Sequence, residues 1–289
     1  MILTIYTPTY NREKLLPRIY QSLCEQTIKD FVWQVIDDGS TDQTRSLVAS
    51  WKEKAPFGIK YVYKDNGGVH TAHNLAHNIV ETDLIWYVDS DDWLECDAVE
   101  KILGAWTNND EYLGIFAKVR APSRSPKNKF PNVNQSTYQD FFYNYHYDGD
   151  LAIVVRTEVL KKVRPFPVYS GEKLVSESFK WIQLPEIPFL VLDEYVACKE
   201  YQQSGYTNNV RKGFFSNLNG YCELYDIHLK CAKYLKNRIE YGVKYIIASS
   251  FLKKKNFIIK SSRPGVILLL YPFGKLLFWG CNLKWKKYQ

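Results

Sequence analysis

Three carboxylates fall within four positions, at Asp89, Asp91 and Asp92, directly after the apolar run Leu84-Ile85-Trp86-Tyr87-Val88. Like charges at that spacing repel one another unless water or a cation sits among them. Hard divalent cations such as Mg²⁺ and Mn²⁺ choose carboxylate oxygens, few protein ligands and a phosphate-bearing substrate to complete the shell. The alternative is a solvated acidic turn whose Asp91 or Asp92 caps the following helix. Spacing alone leaves both readings open.

Something must carry such a cluster. Residues 84–88 are short and β-favouring, and read as a strand buried on both faces, as in a parallel sheet. Residues 1–6, 31–36 and 59–63 read as three further strands. Helical spacing over 13–26, from Thr41 or Asp42 to Lys54, and over 71–80 alternates with them. That alternation predicts an α/β fold with a mostly parallel sheet and helices on both faces. Three of the four strands run into polar loops (7–12, 37–40 and 89–92), which would share the carboxyl edge of the sheet, where ligands bind. No G-x-G-x-x-G follows the first strand and no G-x-x-x-x-G-K-[ST] occurs, which disfavours a dinucleotide oxidoreductase and a P-loop NTPase.

Further on, 97–107 and 157–163 read as helices, and 113–120, 151–156 and 189–196 as strands. Residues 121–134, rich in Pro, Ser, Lys and Asn, read as a loop. The aromatic stretch 138–147 is expected to pack a core, with a sugar platform as the alternative. Polar residues 201–215 are a candidate lid. His70, His73 and His77 nearly share a helical face. A polar face is expected there, with zinc as the alternative.

The net charge of +7 is unevenly placed. Residues 230–289 hold fourteen Lys and Arg against the single acid Glu240, so the rest of the chain is acidic. A basic tail on an acidic body points to an anionic surface as partner for the tail. Within it, 264–279 is apolar and aromatic but interrupted by Pro272, Gly274 and Lys275, which suggests an interfacial anchor rather than a spanning helix. No nucleic-acid motif accompanies the charge. Six scattered cysteines without a C-x-x-C pair suggest reduced thiols, and 1–6 lack the pattern of a signal peptide. A cytoplasmic protein, peripheral on the inner face of the cell membrane through 253–289, is expected.

Four ordered motifs carry a resemblance. Thr7-Pro-Thr-Tyr-Asn-Arg, Val35-Ile-Asp-Asp-Gly-Ser-Thr-Asp, Asn66-Gly-Gly and Val88-Asp-Ser-Asp-Asp-Trp together resemble the family 2 glycosyltransferases of GT-A fold, over roughly residues 1–185. The resemblance implies a nucleotide-sugar donor, Mn²⁺ or Mg²⁺, and inversion at the anomeric carbon. It places Thr7 and Tyr10 around the nucleobase and ribose, and Asp38 on the uracil N3–H. Asn66 and Gly67 would lie near the donor, with phosphate met by the following helix start and a protonated histidine. Asp91 would meet ribose or metal, and Asp89 and Asp92 the metal. Matching Trp181 to the family's aromatic position puts the general base at Glu177, with Glu172 competing. The implied division is a nucleotide-sugar half over 1–105, an acceptor half over 106–215 and a helical basic extension over 216–289.

The expected activity is transfer of a hexosyl or N-acetylhexosaminyl unit from a UDP-sugar to a glycan or polyprenyl-linked acceptor in bacterial surface polysaccharide synthesis. A sugar-nucleotide nucleotidyltransferase is the alternative enzyme, although loop 7–12 lacks the glycines it would want. A non-catalytic membrane-bound scaffold is the alternative without turnover.

Overall fold

The structure, a computed structural model, describes residues 1–106, 111–200 and 210–285, with the side chains of 210–212 and 284–285 left aside. The chain divides into two compact units. One comprises Met1–Arg164 with Leu184–Gln203, the other Pro165–Gln183 with Ser204–Gln289. Residues 165–183 thus group with the C-terminal helices, which the sequence division at 216 does not anticipate.

The first unit is built on a mixed sheet. In chain order it holds β1 (Leu3–Thr9), α1 (Leu16–Cys24), β2 (Phe31–Asp37), α2 (Thr44–Lys52), β3 (Gly58–Tyr63), α3 (Val69–Ile79), β4 (Leu84–Tyr87), β5 (Trp93–Leu94), α4 (Ala98–Ala105), β6 (Gly114–Arg120), β7 (Gln135–Ser136), β8 (Leu151–Arg156), α5 (Thr157–Lys162) and β9 (Phe189–Cys198). The strand order is β3-β2-β1-β4-β8-β6-β9-β5, with β7 paired to β9. Strands β1 to β4 are mutually parallel, and β8 runs against both β4 and β6. Both β1 and β2 are buried along their whole length, as strands in the middle of a parallel sheet covered on both faces should be. The apolar faces of α1 and α4 close a core around Leu3, Ile5, Trp33, Leu84 and Trp86.

Tyr138, Phe141 and Tyr147 of the aromatic stretch pack into the core, while Tyr145 is exposed. Phe141 is fully buried against Phe116 and Tyr147. The six cysteines are free thiols. The two-residue strands β5 and β7 have no sequence pattern of their own.

The second unit is helical: α6 (Ser178–Trp181), α7 (Val210–Ser216), α8 (Leu218–Cys231), α9 (Leu235–Phe251), α10 (Phe257–Lys260) and α11 (Pro264–Trp285). Its core gathers Phe214, Cys222, Leu229, Tyr245, Ile246 and Ile267. Pro272, Gly274 and Lys275 do not interrupt α11, contrary to the sequence expectation. Gly274 serves packing rather than a turn, since a Cβ there would stand 2.8 Å from Ile246 of α9. Of the candidate lid at 201–215, residues 201–209 lie outside the described residues and 210–215 belong to α7.

Candidate functional site

Three loops follow β1, β2 and β4. The first two are laced together. The Asn11 amide donates to Ser40 Oγ, and Asn11 Oδ1 accepts the Thr41 amide at 2.8 Å. The Glu13 amide donates to Asp42, and the Gln43 amide to Glu13. A left-handed backbone at Asn11 (φ 52°) makes this exchange possible, and Asn is among the few side chains that tolerate it.

The Asp37-Asp38-Gly39-Ser40 turn is fixed from inside. Asp37 accepts the Ser40 amide at 2.7 Å and the Tyr61 hydroxyl from the neighbouring strand. The Asp38 carboxylate, 4% exposed, accepts the Gly67 and Gly68 amides at 2.9 and 2.8 Å, and pairs with Lys64. Asn66 Nδ2 donates to the Asp38 carbonyl at 2.7 Å. Asp38 therefore holds the Asn66-Gly67-Gly68 turn instead of presenting an open acceptor. Gly39 has φ 86°, and a Cβ on it would stand 2.8 Å from the Asn66 nitrogen, so no other residue fits there without moving the turn.

This geometry corrects part of the sequence reading. The amide of Gly67, a residue expected near the donor, is given to Asp38, as is that of Gly68. His70, His73 and His77 do not form a polar helix face, because all three are buried. The Tyr6 hydroxyl joins His73 Nδ1 at 2.9 Å to His77 Nε2 at 3.0 Å, and His73 meets the Tyr87 ring edge-on. Thr7 is also fully buried, its hydroxyl accepting the Trp33 indole N–H at 3.0 Å, so its side chain supports β1 from within. Tyr10, by contrast, is exposed at the end of β1.

The acidic loop after β4 is where charge concentrates. Asp89 accepts the Tyr87 hydroxyl on one oxygen and the Lys199 ammonium, at 3.0 Å, on the other. Lys199 also stands 3.8 Å from Asp92 Oδ2 and 4.0 Å from Asp150 Oδ1. Asp92 Oδ1 is buried and has no hydrogen-bond partner among the described residues. Burial pushes the Asp89 carboxyl up, but Lys199 and the Tyr87 hydroxyl outweigh it and leave the group below the usual carboxylate range. The Asp92 carboxyl is pushed up to about 8, first by burial and then by the Asp89 charge. Burial and Asp89 raise Asp91 as well. The Arg18 guanidinium bonds the Asp91 carbonyl, pairs with Glu200 and lies 4.2 Å over the Trp93 ring, which pins the far end of the loop.

Among the described residues no group of three or more His, Cys, Asp or Glu side chains is arranged to hold a metal ion. Asp89, Asp91 and Asp92 do not converge as one three-acid set. The group that forms instead is Asp89, Asp92 and Asp150 around the Lys199 ammonium. A cation already sits among hard oxygen donors there, beside an orphaned buried carboxylate oxygen. Two of those carboxylates, Asp89 and Asp92, would suit Mg²⁺ or Mn²⁺, which take one or two protein carboxylates and complete their shells with phosphate and water. Sequence reasoning missed Lys199 and Asp150 because neither belongs to a local motif.

Glu177 opens α6, its carbonyl accepting the Lys180 amide at 2.8 Å, and belongs to the second unit with Trp181. The competing candidate Glu172 is committed elsewhere. Its Oε1 accepts the Asn219 amide at 2.8 Å and its Oε2 the Gly220 amide at 2.7 Å, which caps the start of α8.

Residues 4–164, more than half of the chain, match the model described as Glycosyl transferase family 2, and the chain belongs to that family. Chondroitin synthase of Escherichia coli is 36% identical over 102 residues, which are 35% of this chain and 15% of that protein. The chain therefore corresponds to a small part of that relative's length. Among solved structures, Staphylococcus aureus TarS 1–349 in complex with UDP-GlcNAc superposes with a TM-score of 0.63 at 19% identity, over 90% of this chain and 76% of that one. The mannosyltransferase PcManGT from Pyrobaculum calidifontis, in complex with GDP-Man and Mn²⁺, gives 0.58 at 17% identity over 99% and 83%. At these identities the structural likeness shows the GT-A fold.

Proposed function

We propose that the chain is a metal-dependent inverting glycosyltransferase that moves a hexosyl or N-acetylhexosaminyl unit from a UDP-sugar to a hydroxyl of a glycan or polyprenyl-linked acceptor in bacterial surface polysaccharide synthesis. One observation carries the reading: Asp89 and Asp92 share a cation while Asp92 Oδ1 stays buried without a partner among the described residues. Leaving a buried acceptor unmatched costs about 1–3 kcal/mol, a cost a bound cation would remove. The UDP-GlcNAc complex of TarS supports a UDP-sugar donor, and the name of chondroitin synthase supports a glycan acceptor.

Asp89 and Asp92 would hold the metal, which when bound neutralises charge on the leaving diphosphate. Tyr10 would pack its exposed ring on the nucleobase. Asp38 would act by fixing the 66–68 turn beside the nucleotide. Inversion by a single displacement needs one base and no covalent nucleophile. Glu177 would accept the proton of the acceptor hydroxyl as that oxygen attacks the anomeric carbon.

The test is UDP release from a panel of UDP-sugars with Mn²⁺. UDP release that EDTA and Asp92→Asn both abolish is the expected result. Pyrophosphate released from UTP and a sugar 1-phosphate, with no UDP released from any UDP-sugar, would instead indicate nucleotidyl transfer. Donor binding without turnover for any acceptor would indicate a scaffold.

A further inference from the structure

The second unit carries a helix that is apolar on the wrong side. In α11 the exposed positions are 264, 265, 268, 269, 272, 273, 276, 277, 279, 280 and 283, most of them in a stripe along one helical face. None of these positions is charged, and Trp279 alone carries a side-chain hydrogen-bonding group. Leu268, Leu269, Phe273, Leu276 and Trp279 are each between 54% and 84% exposed. Over Pro264–Leu283 the mean hydropathy is 1.5, yet 11% of the most apolar stretch is buried. The charged residue in that stretch, Lys275, faces the protein, with Nζ 3.4 Å from Ser250 Oγ and 4.7 Å over the Phe278 ring. A soluble surface helix shows the reverse arrangement, with its charges outward.

The way α11 packs limits what can cover it. Contacts pair Gly242 with Leu270, Ile246 with Gly274, Ser250 with Lys275 and Phe251 with Phe278, so α9 and α11 run side by side in the same direction. Crossing a bilayer alone would strip α11 from this seam. Taking α9 along would drag Lys236, Arg238, Glu240 and Lys244 into hydrocarbon. Lying in the membrane plane keeps the seam and covers the stripe.

Charge selects the kind of surface. Lys253, Lys254 and Lys255 follow α9 just past Phe251, level with the last turns of α11, and the sequence continues beyond α11 with Lys286 and Lys287. Lys253, Lys255 and Lys260 are exposed, as is Ile259 between them. Such lysines beside an inserted apolar face fit anionic headgroups. A second copy of the chain would bring fourteen more cations against fourteen in the same region, which opposes a dimer through this surface.

We propose that α11 lies in the plane of an anionic lipid bilayer, its Leu268–Trp279 stripe among the acyl chains and the lysines of 253–260 on the headgroups. The inference goes beyond the glycosyl-transfer reading and does not depend on it. The test is flotation of the full chain with vesicles of phosphatidylcholine, alone or mixed with phosphatidylglycerol. Expected is binding to the mixed vesicles that falls with salt and drops about tenfold or more in Leu269→Glu/Phe273→Glu. Both residues are exposed, so the melting temperature should hold. Lys253→Gln/Lys255→Gln/Lys260→Gln should lose the preference for the anionic lipid, and brominated lipid should quench wild type more than Trp279→Phe. Equal binding of the double glutamate variant overturns the proposal. So does resistance to alkaline carbonate extraction, which means a spanning helix. So does a dimer that the same variant dissociates and that ignores vesicles, which means a second copy covers the stripe.

Discussion

At Asp92 two demands collide, because the carboxyl is buried and stands beside the ionised Asp89. A free aspartate titrates near 4, as in the unfolded chain. In the folded, metal-free protein the value rises to about 8. Between those limits the native state holds the extra proton, so metal-free stability should fall as pH rises through this window. Asp92→Asn cannot ionise and should flatten that slope, with a higher melting temperature than wild type at pH 8 and transfer abolished. Parallel slopes in the two proteins would contradict the account. Lys199 works in the opposite sense. Lys199→Gln removes the partner of Asp89 and should lower metal-free stability by about 1.5–3 kcal/mol, with Mn²⁺ restoring part of the loss. If Mn²⁺ protects the variant no better than wild type, the metal does not occupy the ammonium's place.

At the scale of elements, turns and caps position the chemistry. Gly39 permits the Asp37–Ser40 turn to approach Asn66, so Gly39→Ala should cost about 1–3 kcal/mol and weaken UDP binding together. Unchanged UDP affinity would separate that turn from the nucleotide. Glu172 caps α8, and Glu172→Gln should lower the melting temperature, with a cost of about 1 kcal/mol, and leave turnover unchanged. Turnover lost at full stability would transfer the base assignment from Glu177 to Glu172. The periodicity of α3 made one face of His70, His73 and His77 legible. It could not say that the face turns inward, because the Tyr6 hydroxyl that receives two of them comes from β1.

Across the whole molecule, legibility follows sequence distance. The strand–helix alternation and the three polar loops are local patterns, and the mostly parallel order of β3-β2-β1-β4 follows from them. Asp89 and Asp92 were visible for the same reason. Lys199 and Asp150 were not, since Lys199 reaches Asp89 across 110 residues and Asp150 joins only through Lys199, with no motif to mark either. Asp38 looked like a free acceptor because its partners at Lys64, Gly67 and Gly68 depend on how β3 and α3 return to β2. In α11 composition showed apolarity, whereas which side faces water depends on its packing against α9.

The central claim is that Asp89 and Asp92 hold a divalent cation through which a uridine diphosphate is gripped. Calorimetric titration of UDP into the full chain, with Mn²⁺ and with EDTA, tests it most directly. The account predicts binding about tenfold or more tighter with Mn²⁺, a difference of about 1.4 kcal/mol or more, and no such difference in Asp92→Asn. Equal UDP affinity with and without Mn²⁺ in wild type would contradict it.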